Sequence, residues 1–148
     1  MFSIKKHLIL IPIILSASLF YSCDTVQSNE SGTLHIKYTG IEEGEYGTVA
    51  SFLIVNDTTA TVNFWAYGGE TPLYSTEVLT DSGWTYLMHS WCATGASSIE
   101  FKAGARKRFV TSLPNYDCTW RVILGVSIVD SEKYYTLKSD EIEFIVSQ

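Results

Sequence analysis

From Thr33 onward, apolar and polar residues alternate at every second position, and this period constrains the fold more than any other feature of the chain. Leu34, Ile36 and Tyr38 share one face while His35, Lys37 and Thr39 share the other, as in a strand buried on one side. Further short runs of the same kind follow at Thr48–Asn56, Thr61–Tyr67, Tyr74–Thr80, Trp84–His89, Ser98–Lys102 and Lys107–Leu113. The longest, Thr119–Val129, puts Trp120, Val122, Leu124, Val126 and Ile128 on one face, and Tyr134–Leu137 and Glu141–Val146 complete the series. Asp57-Thr58-Thr59-Ala60 reads as a hairpin turn, as does Asp81-Ser82-Gly83, and Ala103-Gly104-Ala105 separates another two strands. No stretch sustains a 3.6-residue period between helix caps. The pattern predicts an all-β protein, an antiparallel β-sandwich of immunoglobulin-like architecture, in one domain over residues 33–148.

Ahead of that domain, Lys5 and Lys6 precede an apolar run from Leu8 to Tyr21, then Ser22 and Cys23. The run is shorter than the ~20 residues a membrane-spanning helix needs and suits the apolar region of an export signal. Residues 1–23 resemble a bacterial lipoprotein signal peptide. The resemblance implies removal of residues 1–22, acylation of Cys23, and a lipid-anchored place in the cell envelope, at the outer membrane on its periplasmic or surface side. Ser16 and Ser18 also offer small residues for an ordinary secretory cleavage after Ser18, a route that leaves Cys23 as an unpaired thiol. The polar stretch 23–32 reads as a tether.

Removing residues 1–22 takes Lys5 and Lys6, and no acidic residue, from totals of 10 basic and 16 acidic side chains, leaving a formal charge of −8. Such a domain is ill-suited to nucleic acid, where phosphate contacts dominate affinity, and equally to adhering to anionic lipid. Membrane attachment then falls to the acyl chains on Cys23, several of which anchor stably where one does not. Cys92 and Cys118 remain as an even pair, expected to form a disulfide. Closing the loop of about 27 residues between them contributes about 3–4 kcal/mol in the chain-entropy picture.

Tyr116, two residues before Cys118, resembles the tyrosine corner of immunoglobulin sandwiches, and Trp84 and Trp91 are candidate core tryptophans. Cys92 and Cys118 lie in loop-like stretches, so their bridge is expected to staple a loop to the long strand. Over residues 48–113, the strand–Asn–turn–strand of SFLIVNDTTATVNFWAYGG, the Gly-Trp of DSGW and the Gly between two later strands are similar to small bacterial immunoglobulin-like domains, including the intracellular proteinase inhibitors. That likeness implies a sandwich and, were inhibition shared, an exposed rigid loop.

No motif of hydrolases, metalloproteases, P-loop enzymes or dinucleotide-binding proteins occurs, so no catalytic residue, cofactor or metal is expected. His89 and Ser90 are strand neighbours that point to opposite faces. Glu42, Glu43 and Glu45 around Gly44 read as a solvated acidic turn rather than a calcium loop, and Arg106, Lys107 and Arg108 as a basic strand start split between two faces. The aromatic residues carry the binding hypothesis. Trp65, Tyr67, Tyr74, Trp84, Tyr86 and Trp91 fall within 27 positions, and Trp65 and Tyr67 lie on the face opposite Val62, Phe64 and Ala66. If the latter face the core, Trp65 and Tyr67 form an exposed platform for a glycan or a protein ligand. The expected function is a binding or structural module of the envelope.

Overall fold

The computed structural model describes residues 32–89, 94–131 and 133–146, with the side chain of His89 excepted. The export signal, Cys23 and nearly all of the tether lie outside the described residues, as do Ser90, Trp91 and Cys92. Eleven strands and no helix are found among the described residues. In chain order they are β1 (Leu34–Gly44), β2 (Gly47–Asn56), β3 (Val62–Tyr67), β4 (Thr71–Pro72), β5 (Tyr74–Thr80) and β6 (Gly83–His89). β7 (Ala96–Phe101), β8 (Arg106–Ser112), β9 (Cys118–Ile128), β10 (Tyr134–Lys138) and β11 (Ile142–Phe144) follow.

One sheet has the order β1-β2-β8, and all its pairings are antiparallel. The second is built around β9, which pairs with β3 and β5 in succession along one edge and with β10 and β11 along the other. β7 extends this sheet beyond β3, and β6 extends it beyond β5. The two sheets face each other across one core, so the fold is the antiparallel β-sandwich that the alternation predicts. Phe52 from the small sheet meets Trp120 from the large one edge-on at 5.8 Å, and Tyr74 meets Phe109 at 5.5 Å. Trp120, Val122, Leu124 and Val126 are buried along β9 as their common face requires, with Trp120 fully buried.

Two local features depart from the sequence reading. β1 runs on to Gly44, so Glu42 and Glu43 are strand residues, and a Glu45-Tyr46 turn closes the hairpin with β2. A bulge between Tyr38 and Gly40 makes this extension tolerable. It shifts the face parity by one, so Glu42 points outward and pairs with Arg108 on β8; without it, Glu42 would share the face of Ile36 and Tyr38. The second departure is Asp57–Ala60, which does not close a hairpin: β2 lies in the small sheet and β3 in the large one. The same holds for β7 and β8 across Ala103–Ala105.

Both crossovers converge on Asn56, a fully buried amide. Its Nδ2 donates to the carbonyls of Ala60 (2.9 Å) and Phe101 (3.0 Å), and its Oδ1 accepts from the Thr58 amide (3.2 Å) and hydroxyl (2.6 Å). The Asn56 backbone accepts from Gly104 N–H (2.7 Å) and donates to Ala105 (3.0 Å). Gly104 sits at φ +76° with nothing near its missing Cβ, so glycine there serves backbone conformation.

Candidate functional site

The alternation of β3 places its residues as the sequence predicts. Val62, Phe64 and Ala66 are buried in the core, while Trp65 is 53% exposed on the outer face of the large sheet. Tyr67, on the same face, is half-buried. Trp65 stands opposite Ser98 on β7, with Tyr67 opposite Ala96 and Asn63 opposite Glu100. The neighbour of Trp65 explains its exposure: the small Ser98 side chain opposite leaves the indole uncovered, and Asn63, Ser98 and Glu100 add hydrogen-bonding groups to the same face.

A second cluster lies on this outer face. Glu77 on β5 is the cross-strand partner of Arg121 on β9. Arg121 Nε donates to Glu77 Oε2 at 2.8 Å, and a second guanidinium nitrogen lies 2.7 Å from the same oxygen. The guanidinium carbon stands 3.8 Å from the centroid of the Trp84 ring on β6. The charged pair is therefore largely withdrawn from water, with side chains 12% and 13% exposed, and Tyr86, opposite Glu77, is 59% exposed. Stacking and the charge-assisted bonds hold Trp84 and Arg121 flat against the sheet. Trp84 is thus not a core tryptophan as predicted; Trp120 holds that place. The opposite charges of Glu77 and Arg121 were the only sequence signal for this cluster, and it becomes legible only once the strand register is known.

The remaining predicted residues disperse. Arg106 pairs with Asp57 at 3.2 Å, Arg108 with Glu42, and Lys107 reaches the Gly69 carbonyl at 3.3 Å, so the basic run is divided between faces and partners. Glu43 lies 3.5 Å from the Thr48 hydroxyl, and no group of three potential metal ligands occurs among the described residues. His35 accepts or shares a hydrogen bond with Thr33 at 3.0 Å. Tyr116 is 43% exposed and does not form a buried tyrosine corner.

Cys118 begins β9 as a half-buried free thiol, and Cys92, its expected partner, lies outside the described residues. Burial, reinforced by the neighbouring Asp117 carboxylate, pushes the Cys118 thiol up from its ordinary value. Both causes disfavour the thiolate, which is the nucleophile. In reduced protein, Cys118 should therefore react with iodoacetamide more slowly at neutral pH than in urea-unfolded chain, with the gap closing as pH rises through its folded value; alkylation rates read by mass spectrometry check this. No protein-family model matches the chain, and no curated protein is significantly similar to it.

Proposed function

We propose that the chain is an envelope lipoprotein whose sandwich is a glycan-binding module, with Trp65 as the stacking platform and Tyr67 beside it. The observation that carries this reading is the 53% exposure of Trp65 on the outer face of a sheet whose opposite face is packed core. A large aromatic ring held open in that way suits the apolar face of a sugar, and Asn63, Ser98 and Glu100 can bond its hydroxyls. The acidic balance argues for attachment through acyl groups on Cys23, with the polar residues 24–32 as spacer. In the oxidising envelope Cys92 and Cys118 pair, which lowers the intact mass by two hydrogens relative to reduced protein.

Retention of the protein on insoluble peptidoglycan, chitin, cellulose and starch tests the binding reading. Trp65→Ala should weaken retention on the bound polysaccharide by about 30-fold, since removing a central tryptophan anchor typically costs about 2 kcal/mol. Its melting temperature should stay close to that of the parent, because an exposed ring supports little of the core. Equal retention of parent and variant, or none by the parent on all four polysaccharides, contradicts the proposal. For the anchor, mass spectrometry of the mature N-terminus should find an acylated Cys23; an unmodified residue upstream of Cys23 overturns it.

A further inference from the structure

The strand ladders around Trp65 continue across the large sheet onto β9 and β10. Ser127 on β9 pairs with Asn63 on one side and with Tyr134 of β10 on the other. Asn63 in turn pairs with Glu100 of β7, so Glu100, Asn63, Ser127 and Tyr134 form one row across four strands. Val126, next on β9, pairs with Phe64 and is buried, as is Leu124. Gly125 between them therefore lies on the outer face. It stands one register position beyond the last β3–β9 pair, where Trp65 is the next residue of β3. Gly125 pairs with Thr136 on β10, and Trp65 with Ser98 on β7. Ser98, Trp65, Gly125 and Thr136 thus make a second row beside the first.

Two members of this patch are unusual. Tyr134 is 81% exposed, a second open ring on the same face. Strand spacing and rise put its backbone about 12 Å from that of Trp65. That is further than one sugar ring reaches, so the two aromatic rings cannot stack on the same unit. Gly125 is exposed in the interior of β9, the central strand of the sheet, where glycine weakens a strand. Its φ lies outside the left-handed region, and no described atom beyond its chain neighbours lies within 4 Å of where a Cβ would stand. The β9–β10 register runs unbroken across it, so it marks no bulge. Neither backbone conformation nor packing within the fold requires glycine here. Strand glycines also occur where a ligand approaches the backbone closely, and the open face beside Trp65 fits that cause.

Resting on the glycan-binding reading, we propose that the ligand is an extended oligosaccharide. One sugar stacks on Trp65 and a more distant one on Tyr134, and the units between them lie over Gly125. Besides the two rings and the glycine, the two rows hold Asn63, Ser98, Ser127 and Thr136, with Glu100 the single charged side chain. Neutral amide and hydroxyl groups suit sugar hydroxyls, which both donate and accept, better than they suit a charged peptide that needs counter-charges. Gly125 keeps the floor between the rings low, and a side chain there would lift the glycan away from Asn63 and Ser127. A single sugar engages only one ring. A longer chain engages the second ring without a second association event.

The test is calorimetric titration of the full chain with the disaccharide and the hexasaccharide of cellulose, chitin, starch and peptidoglycan glycan strands. In the series that binds, the hexasaccharide should bind at least about tenfold more tightly than the disaccharide. Tyr134→Ala should weaken hexasaccharide binding about fivefold, the loss expected of an aromatic anchor away from the centre of a site. Gly125→Thr should weaken it by about tenfold or more while raising the melting temperature, since a β-branched residue favours a strand and restricts the unfolded chain. Equal affinity for the two lengths overturns the proposal. So does parental hexasaccharide affinity in Tyr134→Ala or Gly125→Thr when Trp65→Ala has lost it, an outcome that leaves the Trp65 platform standing. A lowered melting temperature in Gly125→Thr also overturns it, because glycine would then serve the fold. Absence of binding in all four series, or binding indifferent to Trp65→Ala, overturns this proposal and the Trp65 platform together.

Discussion

Asn56→Leu should destabilise the fold by about 3 kcal/mol, more than its change in size suggests. The substitution keeps a side chain of similar volume in a fully buried position but removes four hydrogen bonds made by the amide. A typical intramolecular bond contributes only ~0.5–1.5 kcal/mol net. The larger penalty arises because the Phe101 and Ala60 carbonyls and the Thr58 amide lose a partner in a part of the fold that water reaches poorly. Asn56→Asp should be at least as damaging, because it turns a carboxylate oxygen toward the same two carbonyls. The checking measurement is urea unfolding: the midpoint should fall while the slope with denaturant stays constant, as expected when the native surface is unchanged. Loss of Asn56 frees the two places where the chain passes between sheets, so amide exchange should quicken first at Asp57–Ala60 and Ala103–Ala105.

The second large effect belongs to the Glu77–Arg121 pair. Glu77→Leu strands the Arg121 guanidinium, whose side chain is only 12% exposed, and Arg121→Met strands the carboxylate in turn. Breaking one half of a buried pair costs about 3–5 kcal/mol, and either single variant should fall in or just below that range, because the pair keeps some contact with solvent. The double variant should recover most of the loss, since two apolar side chains of similar length can pack beneath Trp84 without a charge to desolvate. Chemical unfolding of the four proteins in a double-mutant cycle isolates the coupling. Additive losses would show that the two charges are separately hydrated and that their contact contributes little.

These effects indicate what the amino-acid order carries and what it does not. The period-2 alternation located ten of the strands, because burial on one face is written into each strand's own residues. It also put Trp65 on the outside, since the apolar positions 62, 64 and 66 left only one side for it. Pairing was another matter. A polar turn such as Asp57–Ala60 looks the same whether it returns a strand to its neighbour or sends it to the opposite sheet. The choice rests on Asn56 meeting the Phe101 carbonyl, 45 residues away in sequence. Glu77 and Arg121 are 44 residues apart, and their contact follows from the register of β5 on β9. Trp84 looked like a core residue because tryptophans often are; the register turned it outward over Arg121, and Trp120 took the interior.

The reading of β1 shows a single residue deciding a face. Before the Tyr38–Gly40 bulge, alternation assigns even-numbered positions to the core, and Glu42 would follow them inward. The bulge reverses the assignment, and the carboxylate meets Arg108 on the outer surface of the small sheet. Arg108 also donates to Ser51 at 2.9 Å, and the apolar side chain exposed opposite Ser51 on that surface, Val110, is aliphatic. The large sheet instead leaves Trp65 and Tyr86 open, and that asymmetry directs the binding proposal to its outer face.

The most direct test of that proposal is an NMR titration of the ¹⁵N-labelled protein with the soluble oligosaccharide of whichever polysaccharide retains it. The account predicts saturable shifts centred on the Trp65 indole and on the amides of Asn63–Tyr67 and Ala96–Glu100, absent in Trp65→Ala. Shifts centred on any other surface, or unchanged in the Trp65→Ala protein, would contradict it.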